Sequence, residues 1–204
     1  IALFGPGDIL GINPRIISRV APPLYTNNFE ANFVPFIEFK EADFLWRFST
    51  RKTQDDKNWI PWLSLIVLKA ASGEEEAEFV EIPNENPDLP ARIQLNDNAI
   101  LPDLRESWRW AHVHFQDIEI KEEDPSKQLA AFQASIKNNP QKAVCRLMCA
   151  RKLEPQSKYH AFLIPTYRIG ANAALGLDNT DIGTVLTWES PADAVGQLPY
   201  YYQW

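Results

Sequence analysis

Short apolar runs, most of them bounded or broken by proline, set the pattern along this chain. Residues 1–24 open on the turn-forming Phe4-Gly5-Pro6-Gly7-Asp8 and continue with apolar positions at irregular spacing, broken by Pro14 and closed by Pro22-Pro23. That pattern predicts an extended arm with one short strand. The aromatic and β-branched content of Phe33–Phe39 and Leu45–Phe48 predicts two strands, with Pro35 pushing the first toward a sheet edge or a bulge. Leu63–Leu68 is almost unbroken apolar sequence, which suits a central strand buried on both faces. Phe79–Ile82 and Ala91–Leu95 alternate as short strands, and Pro102 opens one or two helical turns toward Trp108.

Trp110–Phe115 alternates strictly, with Trp110, His112 and His114 on one face and Ala111, Val113 and Phe115 on the other. A helix follows: Asp124 can cap, Pro125 takes the first helical position, and Leu129, Phe132 and Ile136 recur at helical spacing before Asn138-Asn139-Pro140. Ala143–Cys149 and Tyr159–Ile164 are strands, Ile169–Leu177 is a short helix with glycine at each end, and Thr184–Trp188 and Tyr200–Trp204 add two more strands. The class this predicts is α+β and β-rich. It is a mostly antiparallel sheet or sandwich of about eight to ten short strands with one clear helix near 125–137. Residues 1–24 form the arm and 25–204 a single domain, read as a segment of a longer chain.

Composition narrows the class of function more than it names one. A chain of 204 residues with 45% hydrophobic and 23% charged residues has enough apolar material for one core. Its net charge of −7 lacks the basic footprint that phosphate binding needs, so no nucleic acid is expected as partner. Prolines number 16 against 8 glycines, a balance that stiffens connections between strands. No apolar run reaches the roughly 20 residues of a membrane span, so membrane insertion is not expected. Two cysteines, Cys145 and Cys149, offer no disulfide framework and point to a reducing, cytoplasmic compartment.

Candidate chemistry is sparse. His112-x-His114 projects two imidazoles to one strand face, where they could share a metal. Further ligands would have to converge from His160, Glu38, Glu119 or Cys145, and the alternative is a half-exposed sheet face with the polar ring tips in water. Cys145 and Cys149 are too far apart on a strand to bridge, about 13 Å at roughly 3.3 Å per residue. They read as buried thiols. Ser64 sits in an apolar run without a nucleophile elbow and reads as a packing residue. Asp117, Glu119, Glu122, Glu123 and Asp124 lack the spacing of a calcium loop and read as a solvated face. Trp108, Trp110, Trp188, Tyr200, Tyr201 and Tyr202 exceed what one core needs if alternate positions face outward. They suit a protein interface or a platform for a carbohydrate or peptide. No cofactor and no catalytic residue is implied.

Six phrases carry a resemblance. They are Pro6-Gly7-Asp8-Ile9-Leu10-Gly11-Ile12-Asn13-Pro14-Arg15, Asn32-Phe33-Val34-Pro35-Phe36-Ile37-Glu38-Phe39, Trp62-Leu63-Ser64-Leu65-Ile66-Val67-Leu68, Leu101-Pro102-Asp103-Leu104-Arg105-Glu106-Ser107-Trp108, Arg151-Lys152-Leu153-Glu154-Pro155 and Tyr159-His160-Ala161-Phe162-Leu163-Ile164-Pro165-Thr166. In that order they resemble a family of large bacterial proteins associated with gene clusters for phage-tail-like contractile injection systems. Leu45 and Ala150 stand where that family has prolines, and the family continues past the equivalent of Trp204. The resemblance implies a non-enzymatic structural component in the baseplate or cap of such a particle, with other protein subunits as partners. A carbohydrate- or peptide-binding module and a metal-dependent enzyme using His112 and His114 are the alternatives.

Overall fold

The computed structural model describes residues 4–73, 76–115, 123–180, 183–194 and 196–204. Among them ten strands form three antiparallel sheets, accompanied by two α-helices and several 3-10 turns. The fold is therefore β-rich α+β. The strands are β1 (Ile17–Ala21), β2 (Phe36–Phe39), β3 (Leu63–Lys69), β4 (Phe79–Ile82), β5 (Arg92–Leu95), β6 (Ala111–Phe115), β7 (Ala143–Met148), β8 (Tyr159–Pro165), β9 (Gln197–Pro199) and β10 (Tyr202–Gln203). The helices are α1 (Pro125–Asn138) and α2 (Arg168–Leu175). The sheets run β1-β2-β7-β6, β10-β8-β3 and β4-β5-β9.

One hydrophobic cluster joins all three sheets. It takes Ile37, Phe39 and Leu147 from the first, Leu63, Ile66, Leu68 and Phe162 from the second, and Phe79, Ile93 and Leu198 from the third. Trp62, just before β3, is the hub of its aromatic part. Phe44, Phe48 and Tyr201 surround its ring at 5.6, 5.0 and 6.3 Å between centroids, and its indole N–H donates to the Phe44 carbonyl at 2.7 Å. Tyr167 is equally enclosed. Its hydroxyl donates to Ile60 O at 2.8 Å and accepts from the backbone N–H groups of Thr50 and Arg51, so a buried oxygen keeps its partners.

Helix ends follow their local chemistry. The Asp124 side chain accepts from Ser126 N–H at the start of α1, with Pro125 at the first position. Gly176 closes α2 at φ 71°, in the left-handed region that glycine enters without a Cβ clash. A Cβ there would also meet Leu89 Cδ1 at 3.0 Å.

Several expected elements differ. Leu45–Phe48 is not a strand: Phe44–Trp46 is a 3-10 turn. Alternation would send neighbouring side chains to opposite faces, whereas the turn puts both Phe44 and Leu45 into the core. Thr184–Trp188 forms no strand either, and contributes a single bridge from Leu186 to Tyr167. Tyr200–Trp204 contains only the two-residue β10, and β9 before it belongs to another sheet. Trp110 ends a 3-10 turn (Leu104–Trp110) that Asp103 caps, with Pro102 outside it.

Two strand positions are also corrected. β2 is interior, between β1 and β7, because Pro35 lies before the ladder, where only its carbonyl is used, accepting from Cys149 N–H at 2.8 Å. β3 is buried on both faces as expected, yet its one strand neighbour is β8, which is the central strand. Side chains cover the other edge of β3. Arg151 donates to Val67 O at 3.1 Å, and the Glu78 carboxylate accepts from Lys69 N–H at 2.9 Å. Burial of both faces reports layers above and below a strand, not neighbours beside it.

Candidate functional site

The outer face of the four-stranded sheet gathers charged and imidazole side chains from all four of its strands. Its register sets Arg19 (β1), Glu38 (β2), Arg146 (β7) and His112 (β6) side by side across all four strands. Glu38 is only 1% exposed. Arg146 Nη2 and Nε reach its Oε2 at 2.6 and 3.2 Å, and Arg19 Nε reaches Oε1 at 3.3 Å. Burial works against the charge of Glu38, but the Arg146 hydrogen bonds and the two guanidinium charges outweigh it and hold the carboxyl below its ordinary range. Both guanidinium groups also lie over the Phe36 ring, at 4.1 and 5.2 Å. A carboxylate so engaged is a cross-strand tie, with its lone pairs already occupied.

His112 and His114 share this face, their ring centroids 6.2 Å apart. His112 is exposed, with Nε2 2.8 Å from Arg109 O. His114 is half-buried, and its Nε2 is enclosed without a partner. Among the described residues no third His, Cys, Asp or Glu joins them in a metal-binding group. Cys145 points to the opposite face, Glu38 is committed to its arginines, and His160 lies in the second sheet, where Gln203 Nε2 is 2.8 Å from its Nδ1. Glu119, Asp117 and Glu122 fall outside the described residues.

Burial lowers the pKa of both His114 and His160, with Arg146 adding to the effect at the first and Lys158 at the second. Unfolded imidazoles titrate near about 6.5, so on acidification the unfolded chain takes up these protons first. Stability from this source is complete above that value and is lost as pH falls through the folded pKa values. The urea midpoint should drop between pH 7.5 and 5.5, and less so in a His114→Gln, His160→Gln double variant. A midpoint that is flat or rises across that window would refute this assignment.

The remaining candidates hold structural positions. Both cysteines are buried and unpaired in disulfides; burial pushes the Cys145 thiol up to about 12 and raises Cys149 as well, which keeps them as unreactive thiols. Ser64 exchanges a 2.8 Å hydrogen bond with Thr166 inside the core. Asp124 is a helix cap and Glu123 is exposed.

Of the aromatic residues expected to face outward, Trp188 is corrected: it is 2% exposed and its indole N–H donates to Pro102 O at 2.7 Å. Tyr201 packs on Trp62 and donates to Ile9 O at 2.6 Å, which pins the arm to the core, and burial raises its pKa. Tyr200 and Tyr202 are half-buried against Phe162 and Trp204. Trp108 and Trp110 are half-buried too. Trp110 lines a small cavity with Ser64, Leu104, Ser107 and Met148.

Exposed large apolar side chains are spread over the domain, Phe4, Leu129, Leu177 and Val80 among them, and four of them fall on the connection between β1 and β2. Leu24, Tyr25, Phe33 and Val34 are all exposed there, Tyr25 by 88% and Phe33 by 61%. Tyr25 is held at φ 62°, a conformation that is an outlier for a bulky side chain. Phe29 anchors the loop, half-buried against the core and 6.1 Å from the Phe33 ring. Sequence reasoning assigned Phe33 to a strand. The available signal was Pro22-Pro23 followed by Thr26-Asn27-Asn28, which marks residues 22–35 as a loop despite its aromatic content.

No protein-family model, curated protein or solved structure matches this chain. No helix among the described residues is long and apolar enough to cross a membrane.

Proposed function

We propose that this domain is a non-enzymatic structural component of a large protein assembly, docked through the 22–35 loop. The observation that carries the reading is the display of Leu24, Tyr25, Phe33 and Val34 on one loop whose middle is held against the core by Phe29. Tyrosine and phenylalanine are favoured anchors at protein interfaces, and a tyrosine at positive φ within the loop is the kind of local strain that recurs at binding sites. The charged clusters support the same reading as structural ties, since Glu38 holds Arg19 and Arg146 together across strands and Glu78 holds Arg151 against the edge of β3. The particular assembly, the baseplate or cap of a phage-tail-like contractile injection particle with other protein subunits as partners, rests on the phrase resemblance. A cytoplasmic site of assembly goes with it.

The test is a Tyr25→Ser, Phe33→Ser double variant expressed in place of the native protein. Both side chains are exposed, so folding stability should move by no more than about 0.5 kcal/mol per site. The unaltered protein is expected in a fast-sedimenting fraction with other subunits, and the variant as free protein. A native protein that sediments alone, or a variant that stays in the particle, contradicts the proposal.

A further inference from the structure

We infer that β6 is a self-pairing edge, and that two copies of the chain joined along it bind one divalent transition-metal ion, zinc in chemical type, between four histidines. Natural antiparallel sheets blunt their free edges with bulges, charges, proline or short length. β1 has a register shift between Ile17 and Arg19 and carries that arginine. The open side of β3 is occupied by Arg151 and Glu78. β4 carries Glu81, β9 is three residues long with Pro199, and β10 is two residues long. β6 differs from all of these. Ala-His-Val-His-Phe has no proline and no permanent charge, and its five pairs with β7 run without a bulge. Val113 at its middle is 38% exposed.

A two-fold axis through Val113 pairs β6 antiparallel with its own copy. Ala111 then faces Phe115 of the second copy, and His112 faces the second copy's His114. Facing residues share a sheet side with Cβ atoms about 4.5–5.5 Å apart, so four imidazoles meet on one face. Zinc takes four nitrogen or sulfur ligands in a tetrahedron at about 2.0–2.1 Å from nitrogen, which puts two bound imidazole centroids roughly 5 Å apart. The 6.2 Å separation of His112 and His114 closes to that by side-chain rotation. One chain supplies two ligands, and its described residues supply no third; the second copy completes the set.

The two rings are suited to this use in different ways. With Nε2–H donating to Arg109 O at 2.8 Å, His112 keeps a free lone pair on Nδ1, the arrangement found in metal-ligating histidines whose other nitrogen is held by a backbone carbonyl. His114 has no partner that fixes its ring, and a half-turn about χ2 exchanges the enclosed nitrogen for carbon. Arg146 stands opposite His112 and opposes a cation; Glu38, shared between Arg146 and Arg19, offsets one of those two positive charges, and the four imidazoles must outweigh the one that remains on each chain. α1 meets β6 through Phe132 on Phe115, on the side opposite the histidines.

Sedimentation equilibrium of the 204-residue chain with zinc chloride and with EDTA tests the inference, and it does not depend on the 22–35 loop. The expected result is a dimer in zinc with one metal per two chains, and a monomer in EDTA. His112→Ala or His114→Ala should weaken the zinc-dependent dimer by about tenfold or more. Val113→Lys, which places a charge on the edge, should be monomeric in zinc while its circular dichroism stays native. A monomer in zinc, a zinc-dependent dimer that survives both alanine substitutions, or one metal per chain would overturn it.

Discussion

Trp62→Ala should lower the stability of this domain by about 3–5 kcal/mol, the usual cost of removing a large aromatic side chain from a packed core. The substitution empties the space between Phe44, Phe48 and Tyr201 and leaves the Phe44 carbonyl without its indole donor. Against the 5–15 kcal/mol typical of native domains, that is a large share of the total. Trp59→Ala is the internal control. Trp59 lies three positions earlier, is 46% exposed and has Lys52 over its ring at 5.2 Å; its loss should cost no more than about 1 kcal/mol. Urea unfolding of the two variants checks the contrast, and equal losses would mean that the hub is misplaced.

Glu78→Ala is expected to be nearly as damaging, for an electrostatic reason. Glu78 and Arg151 form a buried pair at 2.6 Å, their side chains 4% and 10% exposed. Removing the carboxylate strands a guanidinium whose Nε already lacks a partner, and it takes away the acceptor for Lys69 N–H. Breaking such a pair from one side costs about 3–5 kcal/mol, whereas replacing both members with apolar side chains of similar volume is often close to neutral. Glu78→Leu with Arg151→Met should therefore recover much of the loss. A double variant as unstable as the sum of the single ones would show that the charges act independently.

The sequence made local structure legible where one residue type dictates one geometry. Asp124-Pro125 marked the start of α1, and the alternation of Trp110–Phe115 and the run Tyr159–Ile164 marked β6 and β8. Neighbour relations were not legible. The apolar run of β3 reported two buried faces and was silent about Arg151 and Glu78 closing its edge from distant positions. Leu45–Phe48 and Phe33 were misassigned for one reason: aromatic residues fill a core or an interface equally well from a strand, a 3-10 turn or a loop. The histidine pair was visible, whereas the 22–35 loop was not: its aromatic and β-branched residues Phe33 and Val34 read as strand, and Leu24 and Tyr25 carried no signal of exposure. That Trp188 turns inward to Pro102 while Tyr25 and Phe33 turn outward is decided by packing across the whole domain.

Docking of this domain onto another subunit through the 22–35 loop, as proposed, can be read out with a photo-crosslinking residue in place of Tyr25. In the native assembly one crosslinked partner is expected, joined through a single defined peptide, with the link lost when Phe33 is also replaced by serine. Scattered links to many proteins, or none while the same probe in place of Phe4 gives a specific partner, would contradict it.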